Sequence, residues 1–204
     1  MASTSTPEQK VILVGDFGVG KSSIFRRYMC DTFINSNDRK ATLGLDHYSK
    51  TFVVNGRNIK LLLFDTGGME RIASVTSSYY KFAEAAILCF SMDNANSFHS
   101  LSQHLVDTTM FAENARIFLC GNKIDLTNIE VSDDDIQQFI EQCHGLIQGT
   151  FKISCKNNSN INEMFTVIAQ SLCDSNRSRL ELQALEHHGF KVHPPEDNVE
   201  NCSC

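Results

Sequence analysis

No apolar run in the 204 residues approaches the ~18 needed to span a bilayer, and the opening Ser/Thr-rich stretch lacks the hydrophobic region of a signal peptide. Synthesis in the cytosol is therefore expected. Positive charge is also short, with 18 Lys and Arg against 24 Asp and Glu and a net charge of −6. That balance argues against broad affinity for nucleic acid, which needs a basic surface to neutralise phosphates. None of the eight cysteines has the paired spacing of a zinc site. Cys89 and Cys120 sit inside apolar runs and read as reduced core thiols. His187, His188 and His193 also lack metal-site spacing and read as linker. The chain has no internal repeats.

What is present suits one globular domain with a tail. The apolar share of 42% and charged share of 21% are ordinary, and a body of roughly 170 residues is enough for a single core. The expected organisation is a disordered stretch over 1–9, a domain over 10–174 and a flexible tail over 175–204. In the tail Arg177, Arg179 and Lys191 face five acidic residues, and Pro194-Pro195 stops any helix continuing from a short one over 180–185.

Within the body, "KVILVG" (10–15) reads as a buried strand, and "KSSIFRRYMC" after it places Ile24, Phe25 and Tyr28 at helical spacing. Asn55-Gly56 between two apolar runs is a strong hairpin signal, so the second and third strands are expected to be antiparallel. Three further apolar runs, at 85–91, 115–121 and 150–154, alternate with segments of helical length at about 70–82, 95–111, 132–144 and 160–173. Ser132 opens one of these with an acidic first turn that suits the helix dipole. The alternation predicts an α/β fold, a six-stranded, mostly parallel sheet with one antiparallel edge strand and helices on both faces.

"GDFGVGKS" (15–22) matches G-x-x-x-x-G-K-[ST] and lies where that loop works, between a buried strand and a helix. Gly-rich backbone turns successive N–H groups toward phosphate oxygens, Lys21 reaches the terminal phosphates, and Ser22 is a magnesium ligand candidate. The loop alone leaves ATPases, nucleoside kinases and GTPases open. "GNKID" (121–125) narrows the choice, because it ends a predicted strand at the edge where α/β sheets bind ligands. A carboxylate at Asp125 accepts two hydrogen bonds from a guanine edge but faces an acceptor if the base is adenine. Asn122 is the candidate to tie loops together, the Lys123 stem to cover the base, and "SCK" (154–156) to complete the pocket with backbone N–H groups.

The P-loop, "ATLG" (41–44), "DTGG" (65–68), "NKID" (122–125) and "SCK" occur in the order and spacing of the Ras-like small GTPases, over Lys10 to about Cys173. Within that superfamily the chain resembles a Rab. The run from Ser74 to Phe98 is similar to the Rab stretch around "YYRGA", "ATLGLD" resembles the Rab "TIGxDF", and the final "CSC" resembles a doubly prenylated Cys-x-Cys end. "DTGG" in place of "DTAG" points toward a divergent late-endosomal type.

The resemblance implies GTP and GDP as ligands and magnesium as cofactor. It assigns nucleotide contacts to Gly15, Phe17, Gly18, Val19, Gly20, Lys21, Ser22 and Ser23, to Phe33 and Thr42, to Gly68, and to Asn122, Lys123, Asp125, Leu126, Ser154, Cys155 and Lys156. Metal contacts fall to Ser22, Thr42 and Asp65. Thr42 lies nine positions after Phe33, a longer interval than small GTPases commonly have, so "INSNDRKA" (34–41) is expected to be a lengthened, polar and mobile switch. Met69 stands where small GTPases usually carry the glutamine that orients the attacking water, and its sulfur has no donor. Phe17 replaces a small residue near where an activating protein would insert an arginine. Slow intrinsic hydrolysis follows as an expectation, with a GTP-loaded scaffold of negligible hydrolysis as the alternative.

His47, Phe64 and Tyr79 match the Rab aromatic triad that reads switch state, altered in its first two members, and stand as effector candidates. Cys202 and Cys204 are the expected sites of two geranylgeranyl groups, since one lipid anchor is marginal and two are stable. The partners implied are a membrane, an escort protein or GDP-dissociation inhibitor, an exchange factor, an activating protein and effectors, acting on a monomer. The implied location is the cytosol and the cytoplasmic face of endosomal or Golgi-related vesicles.

Overall fold

The computed structural model describes Thr6 and residues 8–34, 46–65 and 76–174. Several expectations lie outside these residues: the helix portion at 70–75, the short tail helix, most of the lengthened switch, and the candidates Thr42, Gly68, Met69, Cys202 and Cys204.

Along the chain run β1 (Glu8–Val14), α1 (Lys21–Cys30), β2 (Asp46–Val54), β3 (Arg57–Asp65), α2 (Thr76–Tyr80), β4 (Ala85–Ser91), α3 (Ala95–His99), α4 (Leu101–Phe111), β5 (Arg116–Asn122), α5 (Asp133–Gln142), β6 (Ile147–Ile153) and α6 (Ile161–Asp174). The strands form one six-stranded sheet in the order β2-β3-β1-β4-β5-β6. β2 pairs antiparallel with β3, from Asp46 opposite Asp65 to Val54 opposite Arg57. All other pairings are parallel. The hairpin turns at Asn55 and Gly56, with φ of 50° and 75°. Positive φ at both central residues matches the right-handed twist of the flanking strands.

The central strands read as continuous apolar runs because both faces are covered. Every residue of β4 is buried. On one face α1 and α6 close over Leu13, Leu61, Leu63, Ile87 and Phe118. α6 contributes Met164, Phe165, Ile168, Ala169 and Leu172, which recur at the spacing of one helical face. On the other face the core collects Ile12, Leu88, Phe90 and Leu119 with Tyr79, Phe98, Leu101, Ile136 and Phe139. α5 begins in a reciprocal cap, where the Ser132 hydroxyl accepts from the Asp135 N–H and the Asp135 carboxylate accepts from the Ser132 N–H. The Ser132 hydroxyl, which also donates to the Asp135 carboxylate at 2.6 Å, and the Ser132 N–H hold the Asp135 carboxyl below its usual range.

One element differs from the sequence reading. The single helix expected over 95–111 is two, α3 and α4, meeting at Ser100. The Ser100 hydroxyl donates to the Asn96 carbonyl at 3.0 Å, a back-bond that competes with the helical ladder and bends it. α2 also stops at Tyr80, two residues before the expected end. Among the described residues no helix is long and apolar enough to cross a membrane.

The loops after β1, β5 and β6 all leave the same, C-terminal edge of the parallel strands. β1 has β3 on one side and β4 on the other, so the chain reverses its direction of progress there. Open α/β sheets bind ligands in the crevice beside such a point.

Candidate functional site

The loop after β1 is shaped by two glycines that tolerate no side chain. Gly15 has φ of 145°, and a Cβ there would lie 2.1 Å from the Cys89 carbonyl oxygen. Gly20 has φ of 103°, and its Cβ would lie 2.2 Å from Asn122 Nδ2. Backbone therefore packs against β4 and against the end of β5. Lys21 is buried, and its ammonium donates to the Gly15 carbonyl at 2.5 Å and the Asp16 carbonyl at 2.9 Å. These bonds fix the Lys21 ammonium within the loop, where its charge can meet an anion such as phosphate. α1 starts beside it with no side chain capping its first turn and no acidic residue there, so the positive helix end faces the loop. Val19 is buried, whereas the Phe17 ring is 61% exposed at the loop's tip.

A cleft of about 360 Å³ adjoins this loop, lined by Gly20, Ser23, Phe33, Asp93, Asn122, Lys123, Asp125, Leu126, Cys155 and Lys156. Asn122 joins three segments. Its side-chain amide donates to the Val19 carbonyl at 2.9 Å, and its Oδ1 accepts from the Lys123 N–H at 2.8 Å and the Cys155 N–H at 3.3 Å. The Asp125 side chain is only 8% exposed. One of its oxygens accepts the Ser154 hydroxyl at 2.6 Å, and the other lies 4.0 Å from the Lys156 ammonium. Ser154 in turn accepts from the Asn157 N–H at 3.0 Å. The carboxylate is thus oriented by the protein's own groups.

Lys123 adopts a left-handed conformation, with φ of 70°, and its ammonium lies 3.3 Å from Asp93 Oδ1. Burial works to raise the Asp93 carboxyl, but the Ser91 hydroxyl bond and the Lys123 charge outweigh it and hold the group below the usual range. With its head tethered, the Lys123 stem forms part of the cleft wall. The acceptor carboxylate, the oriented amide and the flanking Phe33 fit a purine whose edge donates hydrogen bonds. For magnesium the described candidates are Ser22 in the first turn of α1 and Asp65, buried at the end of β3. A hydroxyl and a carboxylate are the hard oxygen donors that ion takes.

The three aromatic candidates on β2, β3 and α2 come together. The His47 and Phe64 rings stack with centroids 5.3 Å apart. Tyr79 is buried, its hydroxyl within 3.0 Å of the Phe64 carbonyl and 3.1 Å of the Leu13 carbonyl, while accepting the Leu13 N–H. Burial pushes the Tyr79 phenol well above its ordinary value, and the nearby Asp65 charge adds to this. The Lys10 ammonium lies 4.9 Å from the Phe64 ring centroid and donates to the Tyr79 carbonyl at 2.6 Å.

A phosphate-cradling loop after β1 and a carboxylate-bearing purine cleft between the ends of β5 and β6 define a P-loop nucleotide-binding protein of the small GTPase type. The sequence profile of the Ras family matches residues 10–174. Rab-1D of Dictyostelium discoideum is 34% identical over 80% of this chain and 78% of its own length. Rab-18 of Lymnaea stagnalis is 32% identical over 96% of this chain and 94% of its own, and Rab-12 of Mus musculus 31% over 95% and 83%. The chain belongs to the Ras family and is a divergent Rab-type small GTPase.

Two contributors to the site had no sequence signal of their own. Asp93 lies in "SMDN", just past the end of β4, and the sheet order brings it to Lys123. His104 on α4 lies 2.8 Å from Asp16 across 88 residues of chain, a separation at which neither periodicity nor motif spacing carries information.

Proposed function

We propose that this chain is a guanine-nucleotide switch that binds GTP and GDP with magnesium, turns GTP over slowly and recruits effectors while GTP is bound. As a Rab-family small GTPase it is a GTP-binding regulator of membrane trafficking. The observation that carries the reading is the nearly buried Asp125 carboxylate, fixed by Ser154 at 2.6 Å beside a cleft continuous with the phosphate loop. A guanine offers two donors to that carboxylate, whereas an adenine leaves a buried acceptor facing an acceptor. Calorimetry with GTP and ATP in the presence of magnesium tests it. GTP uptake with no measurable ATP uptake is expected, and equal affinity for the two overturns the reading.

The roles of the residues follow from their chemistry. Gly15, Gly18 and Gly20 let the loop amides turn toward phosphate oxygens, and Lys21 carries the neutralising charge. Ser23, Leu126, Cys155 and Lys156 close the cleft around the base, with Phe33 against its plane and the Lys123 stem opposite. Magnesium, when bound, neutralises the terminal phosphates, and Ser22, Asp65 and Thr42 are the residues that would hold it. Gly68 offers its N–H to the γ-phosphate. Met69 cannot position water by hydrogen bonding, because a thioether is at best a weak acceptor and has no donor.

A second reading, a GTP-loaded scaffold with negligible hydrolysis, is favoured by the exposed Phe17 ring at the loop tip, near where an activating protein would insert an arginine. Nucleotide content after gentle purification separates the two, since a cycling enzyme retains mostly GDP. Membrane attachment is assigned to geranylgeranyl groups on Cys202 and Cys204. An escort protein or GDP-dissociation inhibitor would shield those lipids in the cytosol, and an exchange factor and an activating protein would set the cycle. His47, Phe64 and Tyr79 form the candidate effector contact.

A further inference from the structure

Arg27, in the last turn of α1, makes a set of contacts that the nucleotide chemistry above does not call for. Its side chain is 13% exposed. Nε donates to the Cys155 carbonyl at 2.6 Å and Nη2 to the Lys156 carbonyl at 2.9 Å. Nη1 donates to the Asp31 carbonyl at 2.8 Å and to Asp31 Oδ1 at 3.2 Å. The Asn158 side-chain amide donates to the same Oδ1 at 2.8 Å. Asp31 ends α1 in a left-handed conformation, φ 52°, with its N–H returned to the Arg27 carbonyl at 3.1 Å. One planar guanidinium thus ties the exit of α1 to the loop after β6.

Both segments contribute to the lining of the cleft: Phe33, two residues past Asp31, on the one hand, and Cys155 and Lys156 on the other. Arginine suits this junction because its donors are fixed in a fork and serve several acceptors at once, whereas a lysine ammonium reaches the same carbonyls only as a point charge. Asn122 also holds the Cys155 N–H, so without Arg27 the loop would stay attached to β5 but depend on the Asn158 bond to Asp31 for its link to the Phe33 side.

We propose that Arg27, with Asp31 and Asn158, is a positioning residue for the nucleotide: it holds the Phe33 wall and the Cys155–Lys156 wall at a fixed separation and so sets how long guanine nucleotide stays bound. This rests on the reading of the cleft as a guanine site. The clamp acts at the base end, leaving the phosphate end to the loop after β1.

The experiment follows release of ribose-labelled fluorescent GDP from the full chain, with magnesium and excess unlabelled GDP. Arg27→Gln is expected to release it about tenfold faster, the scale of one lost charged hydrogen bond, and Asn158→Ala by a smaller factor. Arg116→Gln, which breaks a bond to Ser171 at the far end of β5, is expected to release at the wild-type rate. Chelating magnesium should accelerate wild type and Arg27→Gln by the same factor, because the clamp is remote from the phosphates. A general loosening of the fold would change that factor, and such a change overturns the proposal. Wild-type release from both Arg27→Gln and Asn158→Ala overturns it too. Should Arg27→Gln fail to fold, an unchanged rate in Asn158→Ala is decisive against it. If the wild-type chain takes up no labelled GDP, the guanine reading fails and the clamp falls with it; uptake with unaltered release removes the clamp alone.

Discussion

His104 Nε2 on α4 lies 2.8 Å from Asp16 Oδ1 in the phosphate loop, so a helix on one face of the sheet anchors the loop at its opening turn. The Asp16 carbonyl is also one of the two that hold Lys21. The pair is partly exposed, which limits its contribution. His104→Ala is expected to lower unfolding stability by about 1 kcal/mol in urea and to weaken GDP binding modestly. Equilibrium denaturation and nucleotide titration of the same preparation check both.

Gly20→Ala should do more damage than its single methyl suggests. The new Cβ would meet Asn122 Nδ2 at 2.2 Å in a backbone with φ of 103°, so strain and loss of the Asn122 bond to Val19 act together. A loss of about 2–3 kcal/mol is expected, read as a lower denaturation midpoint with an unchanged slope.

Asp125→Asn replaces an acceptor with a group that also donates. GDP affinity is expected to fall about a hundredfold or more, while xanthosine diphosphate, which presents an acceptor at that edge, gains. Competition titrations with the two nucleotides measure the exchange of preference.

Intrinsic hydrolysis is expected at about 10⁻³ per second or slower, with Met69→Gln faster than wild type. Single-turnover release of phosphate from preloaded protein is the measurement. A wild-type rate equal to or above that of the variant would contradict the role given to Met69.

The lowered Asp93 carboxyl links stability to acid. A group whose folded value is depressed contributes stability above its ordinary range and loses it as pH falls through the folded value. The difference in stability between wild type and Asp93→Asn should therefore be present at neutral pH and disappear at pH below the usual carboxylate range, as Lys123 loses its charged partner. Urea unfolding across an acid pH series shows whether it does.

Much of the fold was legible because its signals are local. The hairpin followed from Asn55-Gly56, whose positive φ values the turn requires. The buried β4 followed from an unbroken apolar run, since both its faces are covered. The helix over 95–111 was misread as one, because periodicity continues across Ser100 and carries no trace of a hydroxyl bonding backward. At the site, Asp125, Asn122 and Lys21 were nameable because each sits in a motif whose spacing reflects a short loop. Arg27, Asp93 and His104 were not, since their partners lie in the loops after β1, β5 and β6, far from them in sequence.

The sequence by itself determined where strands, helices and the phosphate loop form, and which purine edge an aspartate after β5 can accept, because those depend on residue type and on neighbours a few positions away. Only the tertiary structure decided that Ser154 orients that aspartate, which backbone groups the loop-tying Asn122 bonds, and that Arg27 joins the exit of α1 to the loop after β6. These contacts bring together residues 29 to 129 positions apart. Their separation is set by the order of strands in the sheet, which puts β1 beside β4 and β5 beside β6.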